Sequence, residues 1–198
     1  MAQPISEHIC QFFDSDESRA DAAAVFLADG VRAREHTIAV VPPAQWTLIL
    51  ERLHARGIAV DEPMAEGRLV VFDAGSTLAR ISPRGRLSPF AFNEVMGAAL
   101  QGLSGRIRGY GVMVDILAGR GEFAEALELE ELWNRVGEMV PLTTLCGYLA
   151  AHFVGTSTHR CLREICLAHT DVHRDPQDAL ADWVLNTAHH AGGPSFLH

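Results

Sequence analysis

His8-Ile9-Cys10-Gln11-Phe12-Phe13-Asp14-Ser15-Asp16-Glu17 decides how this chain is read. A mainly apolar run suited to a strand passes directly into four small or acidic residues suited to cap a helix. The helix is expected from about residue 17 to 29, ending at Gly30 as its C′ residue. The same alternation then repeats along the chain. A second strand is expected over Thr37 to Val41, followed by Pro42-Pro43 and a helix with Trp46, Ile49, Leu50 and Leu53 at i, i+3, i+4 and i+7. The third, Arg68 to Asp73, has the continuous apolar centre of a strand buried on both faces.

Residues 75–88, with Arg80, Arg84 and Arg86, read as the longest irregular stretch. Beyond Ser88-Pro89 a helix places Phe92, Val95, Met96 and Ala99 on one face, and a fourth strand is expected from about Ile107 to Ile116. A helix over 122–139, a fifth strand over 143–149 and a helix over 159–169 follow. Asp175-Pro176 opens a last helix carrying Leu180, Trp183 and Val184. Strand and helix in alternation predict an α/β fold: a doubly wound, mainly parallel sheet of about five or more strands, helices on both faces, and a C-terminal helix. The expected division is one domain over 1–172 and a helical extension over 173–198.

Composition narrows the function. Of 198 residues, 48% are hydrophobic and 21% charged, which suits a packed globular core. The formal net charge of −9 argues against nucleic-acid binding, which draws on a basic footprint. No apolar run approaches the ~20 residues that span a bilayer, and the first residues lack a secretory signal pattern, so a cytoplasmic chain is expected. Cys10, Cys146, Cys161 and Cys166 contain no C-x-x-C pair and are expected to be reduced.

The first strand-to-helix turn is where a phosphate loop would lie, and it carries three carboxylates and no glycine. No G-x-G-x-x-G, G-x-S-x-G or H-E-x-x-H occurs. No catalytic residue, cofactor or metal is expected. His8, Cys146 and His169 are metal-ligating residue types, but their sequence separation and lack of paired spacing count against a metal site.

Five stretches together resemble the MEDS domain, the methanogen/methylotroph DcmR sensory domain. They are His8 to Asp14, Arg108-Gly109-Tyr110-Gly111-Val112-Met113-Val114-Asp115, the run from Ala126 to Asn134, Leu145-Cys146-Gly147-Tyr148, and Ile165-Cys166-Leu167-Ala168-His169. The resemblance implies a RecA-like α/β fold without a phosphate loop and a prokaryotic sensory role proposed to involve small hydrocarbon derivatives. The chain departs from the family's Gly-Glu-Met at Gly111-Val112-Met113, where a carboxylate is replaced by an apolar side chain.

Candidate ligand-binding residues are His8, Asp14, Tyr110, Asp115, Glu130, Asn134, Cys146 and His169. Each also has a simpler role: core hydrogen bonding for the histidines, packing for Cys146, helix capping for Asp14, and a solvated helix edge for Glu130 and Asn134. The expected function is a stand-alone sensory domain, not an enzyme. It would bind a small, largely apolar ligand beyond the carboxyl ends of the strands and signal through a histidine kinase or response regulator. Homodimerisation is compatible with the last helix. The alternative is a protein-interaction regulator that binds no ligand on a degenerate nucleotide-binding fold.

Overall fold

A computed structural model describes residues 6–155 and 158–173. Six strands, β1 (Glu7–Phe13), β2 (His36–Val41), β3 (Leu69–Asp73), β4 (Ile107–Gly111), β5 (Leu142–Leu149) and β6 (Asp171–His173), form one sheet in the order β3-β2-β4-β5-β1-β6. Every pairing is parallel. The helices are α1 (Asp16–Arg32), α2 (Pro43–Ala55), α3 (Asp61–Ala65), α4 (Ala74–Ile81), α5 (Pro89–Leu100), α6 (Met113–Gly119), α7 (Phe123–Met139) and α8 (His159–Ala168).

Right-handed crossovers explain the layering. The chain moves from β1 through β2 to β3 in one direction across the sheet, then returns through β4, β5 and β6 in the other. Reversal at the β3 edge puts α1 and α2 on one face and α4, α5, α7 and α8 on the other. The expected doubly wound α/β fold is therefore present, with a sixth strand. None of the helices among the described residues is long and apolar enough to cross a membrane.

Several boundaries differ from the sequence reading. Ser15, not Asp14, caps α1: its Oγ accepts the Ser18 N–H at 3.1 Å, and the Ser18 hydroxyl meets the Ser15 N–H at 3.3 Å. Asp14 is exposed. Gly30 lies inside α1 rather than after it, because the helix there approaches the sheet so closely that a Cβ would sit 2.8 Å from Arg108 Cδ and Thr37 Oγ1. Residues 74–81 are helical, capped by Asp73 Oδ1 accepting the Ser76 N–H at 2.7 Å, with Thr77, Leu78 and Ile81 buried. That short apolar stripe is obscured in sequence by the surrounding Gly, Ser and Arg.

The fourth strand stops at Gly111 instead of Ile116. Its β-branched residues Val112, Val114 and Ile116 favour extended structure, but burial of Val114, Leu117 and Ala118 at helical spacing overrides that preference. Asp115 is consequently a helical residue. The expected last helix, 175 onward, lies outside the described residues.

Candidate functional site

Strand alternation sorts the eight candidate residues into separate places. Partners across a parallel pair share a face, and Gly111 is opposite Cys146 while Tyr110 is opposite Leu145. Tyr110 therefore points toward α1 and α2, where Gln45 Nε2 donates to its Oη at 3.3 Å. Cys146 and His8 point to the opposite face, under α7 and α8. Burial, against the attraction of Arg19, raises the Tyr110 hydroxyl above its ordinary pKa. Gly147 makes room on the Tyr110 face: a Cβ there would lie 2.8 Å from Tyr110 Oη.

At the carboxyl ends of β1 and β5, buried Asp115 is bound by α1 and β5. It accepts from Arg19 Nη1, from the Leu149 N–H at 2.8 Å, and meets His152 Nδ1 at 2.8 Å. Arg19 Nη2 also reaches Asp16 at 2.5 Å. Protein groups thus take up both Asp115 oxygens, and in the first turn of α1 the Ser18 N–H goes to the Ser15 cap. The Arg19–Asp115 pair lies at the start of α1, beyond the carboxyl ends of the strands, the region where open α/β sheets bind ligands.

The other five candidates meet in one buried cluster. α7 carries Glu130 and Asn134 one turn apart on its inner face; His8 comes from β1, Cys146 from β5, and His169 from the end of α8. The Glu130 side chain is fully buried, and its oxygens face four groups. Oε1 accepts from Tyr148 Oη and lies 3.2 Å from His169 Nε2. Oε2 lies 3.1 Å from His8 Nε2 and 3.4 Å from Cys146 Sγ. His8 Nε2 is also 3.3 Å from that sulfur, and the two imidazole rings are 4.1 Å apart between centroids.

One hydrogen bond at each Nδ1 fixes both imidazoles. Asn134 Nδ2 donates to the Ala168 carbonyl at 2.8 Å, leaving its Oδ1 to accept from His8 Nδ1 at 2.7 Å. His169 Nδ1 donates to the Ile165 carbonyl at 2.7 Å. Each ring therefore turns its Nε2 inward. Burial alone raises the Glu130 carboxyl, but the neighbouring His169 and His8 outweigh it and hold it well below the usual carboxylate range. Burial and the Glu130 charge push the Cys146 thiol and the Tyr148 hydroxyl upward. Burial lowers His169, whereas Glu130 raises it, and the net shift is upward.

Ligating atoms of His8, Glu130, Cys146 and His169 all lie within 4.8 Å of one another. Sequence separation, which counted against a metal-ligating group, is thus no obstacle: β1 and β5 are adjacent strands, and α7 and α8 cover them. The sequence reading missed Tyr148, although its period-2 relation to Cys146 places it on the same face. It also missed Arg19, whose sequence cue is the neighbouring Asp16 rather than its main partner Asp115, and His152, which has no acidic residue near it in sequence.

Beside the cluster, between the sheet and α5, α6 and α7, is a cavity of about 20 Å³. Its lining includes Val40, Gly109, Gly111, Met113, Trp133 and Cys146. Cys146 thus belongs to both the apolar cavity and the polar cluster. Both lie under the helices on one face, not beyond the strand ends where the ligand pocket was expected. Val112, at the turn into α6, is fully buried.

Fold and site define a doubly wound parallel α/β domain whose first strand-to-helix turn lacks a phosphate loop. The family model MEDS, the MEthanogen/methylotroph, DcmR Sensory domain, matches residues 7–170. The chain belongs to this family of sensory domains, and the matched segment includes every member of the buried cluster. No curated protein matches the chain significantly.

Proposed function

We propose that this domain senses a small, largely apolar molecule in the cavity beside Cys146 and signals through a protein partner such as a histidine kinase or response regulator. The carrying observation is the shared Cys146: one residue joins a lined apolar space to a charged cluster that ties β1, β5, α7 and α8 together. A cavity of about 20 Å³ holds only one or a few heavy atoms without rearrangement. That size favours one- to three-carbon compounds over a nucleotide or a drug-sized ligand. Occupancy would press on Trp133, which shares α7 with Glu130 and Asn134, so a change in the cavity reaches the polar cluster through one helix.

The reading assigns binding and signalling rather than turnover, in a cytoplasmic setting. Thermal unfolding in the presence of one- to three-carbon alcohols, aldehydes and halides tests it. A ligand that binds only the native state raises stability by RT ln(1 + [L]/Kd), ~2.7 kcal/mol at a hundredfold excess over Kd. No shift with any member of the panel would remove the ligand from the proposal. Buried Val112, where the family pattern has Glu, favours the second reading, a ligand-free protein-interaction regulator; that reading requires a stability gain from a protein partner alone.

A further inference from the structure

We infer that His8, Glu130, Cys146 and His169 form a binding site for one divalent transition-metal ion of the zinc type. This goes beyond the sensory reading and does not depend on an organic ligand entering the cavity. Four separate elements deliver two imidazole nitrogens, a carboxylate and a sulfur to one buried point. Zinc bonds of ~2.0–2.3 Å in tetrahedral geometry separate neighbouring ligand atoms by roughly 3.3–3.8 Å. Around Glu130 Oε2 the cluster already has separations of 3.1 Å to His8 Nε2 and 3.4 Å to Cys146 Sγ, with 3.3 Å between those two, while His169 Nε2 faces the other oxygen, Oε1, at 3.2 Å. All four ligand atoms lie within 4.8 Å of one another, so small side-chain adjustments bring them to tetrahedral spacing around an ion.

The hydrogen bonds behind the two imidazoles point the same way. Metal-binding imidazoles commonly donate their other N–H to a carbonyl or carboxylate, which fixes ring and tautomer. Here Asn134 Oδ1 and the Ile165 carbonyl perform that role, and Asn134 is itself anchored on Ala168. His169 Nε2 is buried and faces Glu130 Oε1 at 3.2 Å without hydrogen-bond geometry to it. An ion would satisfy it. Charge also balances: a carboxylate and a thiolate with two neutral imidazoles neutralise a dication in a site that excludes water. The mixed N, O and S set favours zinc, cobalt or iron over magnesium or calcium. An open groove of about 430 Å³, lined by Ser6, His8, Asn134 and Thr170 among others, gives access to the His8 side.

Cobalt(II) makes the site visible. The full-length chain, stripped with a chelator, is titrated with Co²⁺ alone and followed by absorption. The expected result is one equivalent bound, with a thiolate-to-cobalt charge-transfer band and the visible bands of a tetrahedral ion, both abolished by Zn²⁺. Cys146→Ser should remove the charge-transfer band, while Cys161→Ser, outside the cluster, should retain it. Asn134→Ala leaves all four ligands in place and should weaken Co²⁺ binding by ~10–100-fold through loss of ring orientation; its reading keeps the test decisive if Cys146→Ser fails to fold. A wild-type chain that is folded by circular dichroism yet gives no band overturns the proposal. So does a band that survives Cys146→Ser, or an Asn134→Ala affinity equal to that of wild type.

Discussion

Filling the apolar cavity from its floor should stabilise the protein while removing its response to ligand. Gly111 and Gly109 lie on the cavity face of β4, and both line the space. A Cβ added at Gly111 would approach nothing closer than Val40 at 4.0 Å; at Gly109 the nearest atom is Leu142 Cδ1 at 3.7 Å. Neither methyl clashes. Gly111→Ala buries one methyl group, ~0.8 kcal/mol, and restricts the unfolded chain by ~0.4–1 kcal/mol. The total gain is about 1–2 kcal/mol, and at ~2–4 °C per kcal/mol for a chain of this size the Tm should rise by roughly 2–8 °C. Differential scanning calorimetry of wild type and variant, each with and without the best small molecule from the thermal panel, provides the assay. The variant should have the higher ligand-free Tm and little or no further shift. A ligand shift equal to that of wild type would place the binding site elsewhere, and a lower ligand-free Tm would refute the packing estimate.

Other perturbations probe the remaining structure. Asp115→Ala should cost ~3–5 kcal/mol in urea unfolding, because it leaves the buried Arg19 guanidinium without its main partner; a cost below 1 kcal/mol would show the ion pair to be solvated. Gly147→Ala should destabilise by ~1–3 kcal/mol through overpacking against Tyr110 Oη, and Tyr110→Phe in the same chain should recover part of that loss. The two changes adding independently would contradict the contact. Asp73 is held below the ordinary carboxylate pKa by the Ser76 hydrogen bonds. Its contribution is therefore fully present above the unfolded-state pKa and lost as pH falls through the folded one. Urea midpoints of wild type and Asp73→Ala should differ near neutrality, begin to approach each other as pH falls below about 4 and converge only below the folded-state pKa; a gap that does not narrow at all as the pH is lowered would refute the cap.

The local chemistry of this fold is written in short stretches of sequence. The apolar run of Leu69 to Phe72 and the alternation of strands with capped helices specify a parallel α/β sheet, since periodicity and capping act within a few residues. The absence of a phosphate loop after Phe13 is equally local. Val112 to Ile116 shows where such reading ends: a β-branched segment became helix because burying Val114, Leu117 and Ala118 outweighed its propensity. Only the tertiary structure put Tyr110 and Cys146 on opposite faces, since that depends on the register of β4 against β5. It alone spent Asp115 on Arg19, and it alone brought His8 and His169 together from opposite ends of the matched segment. Residue types announce what a side chain can bind, but convergence is decided by strand order and helix packing, which join positions that no sequence spacing connects.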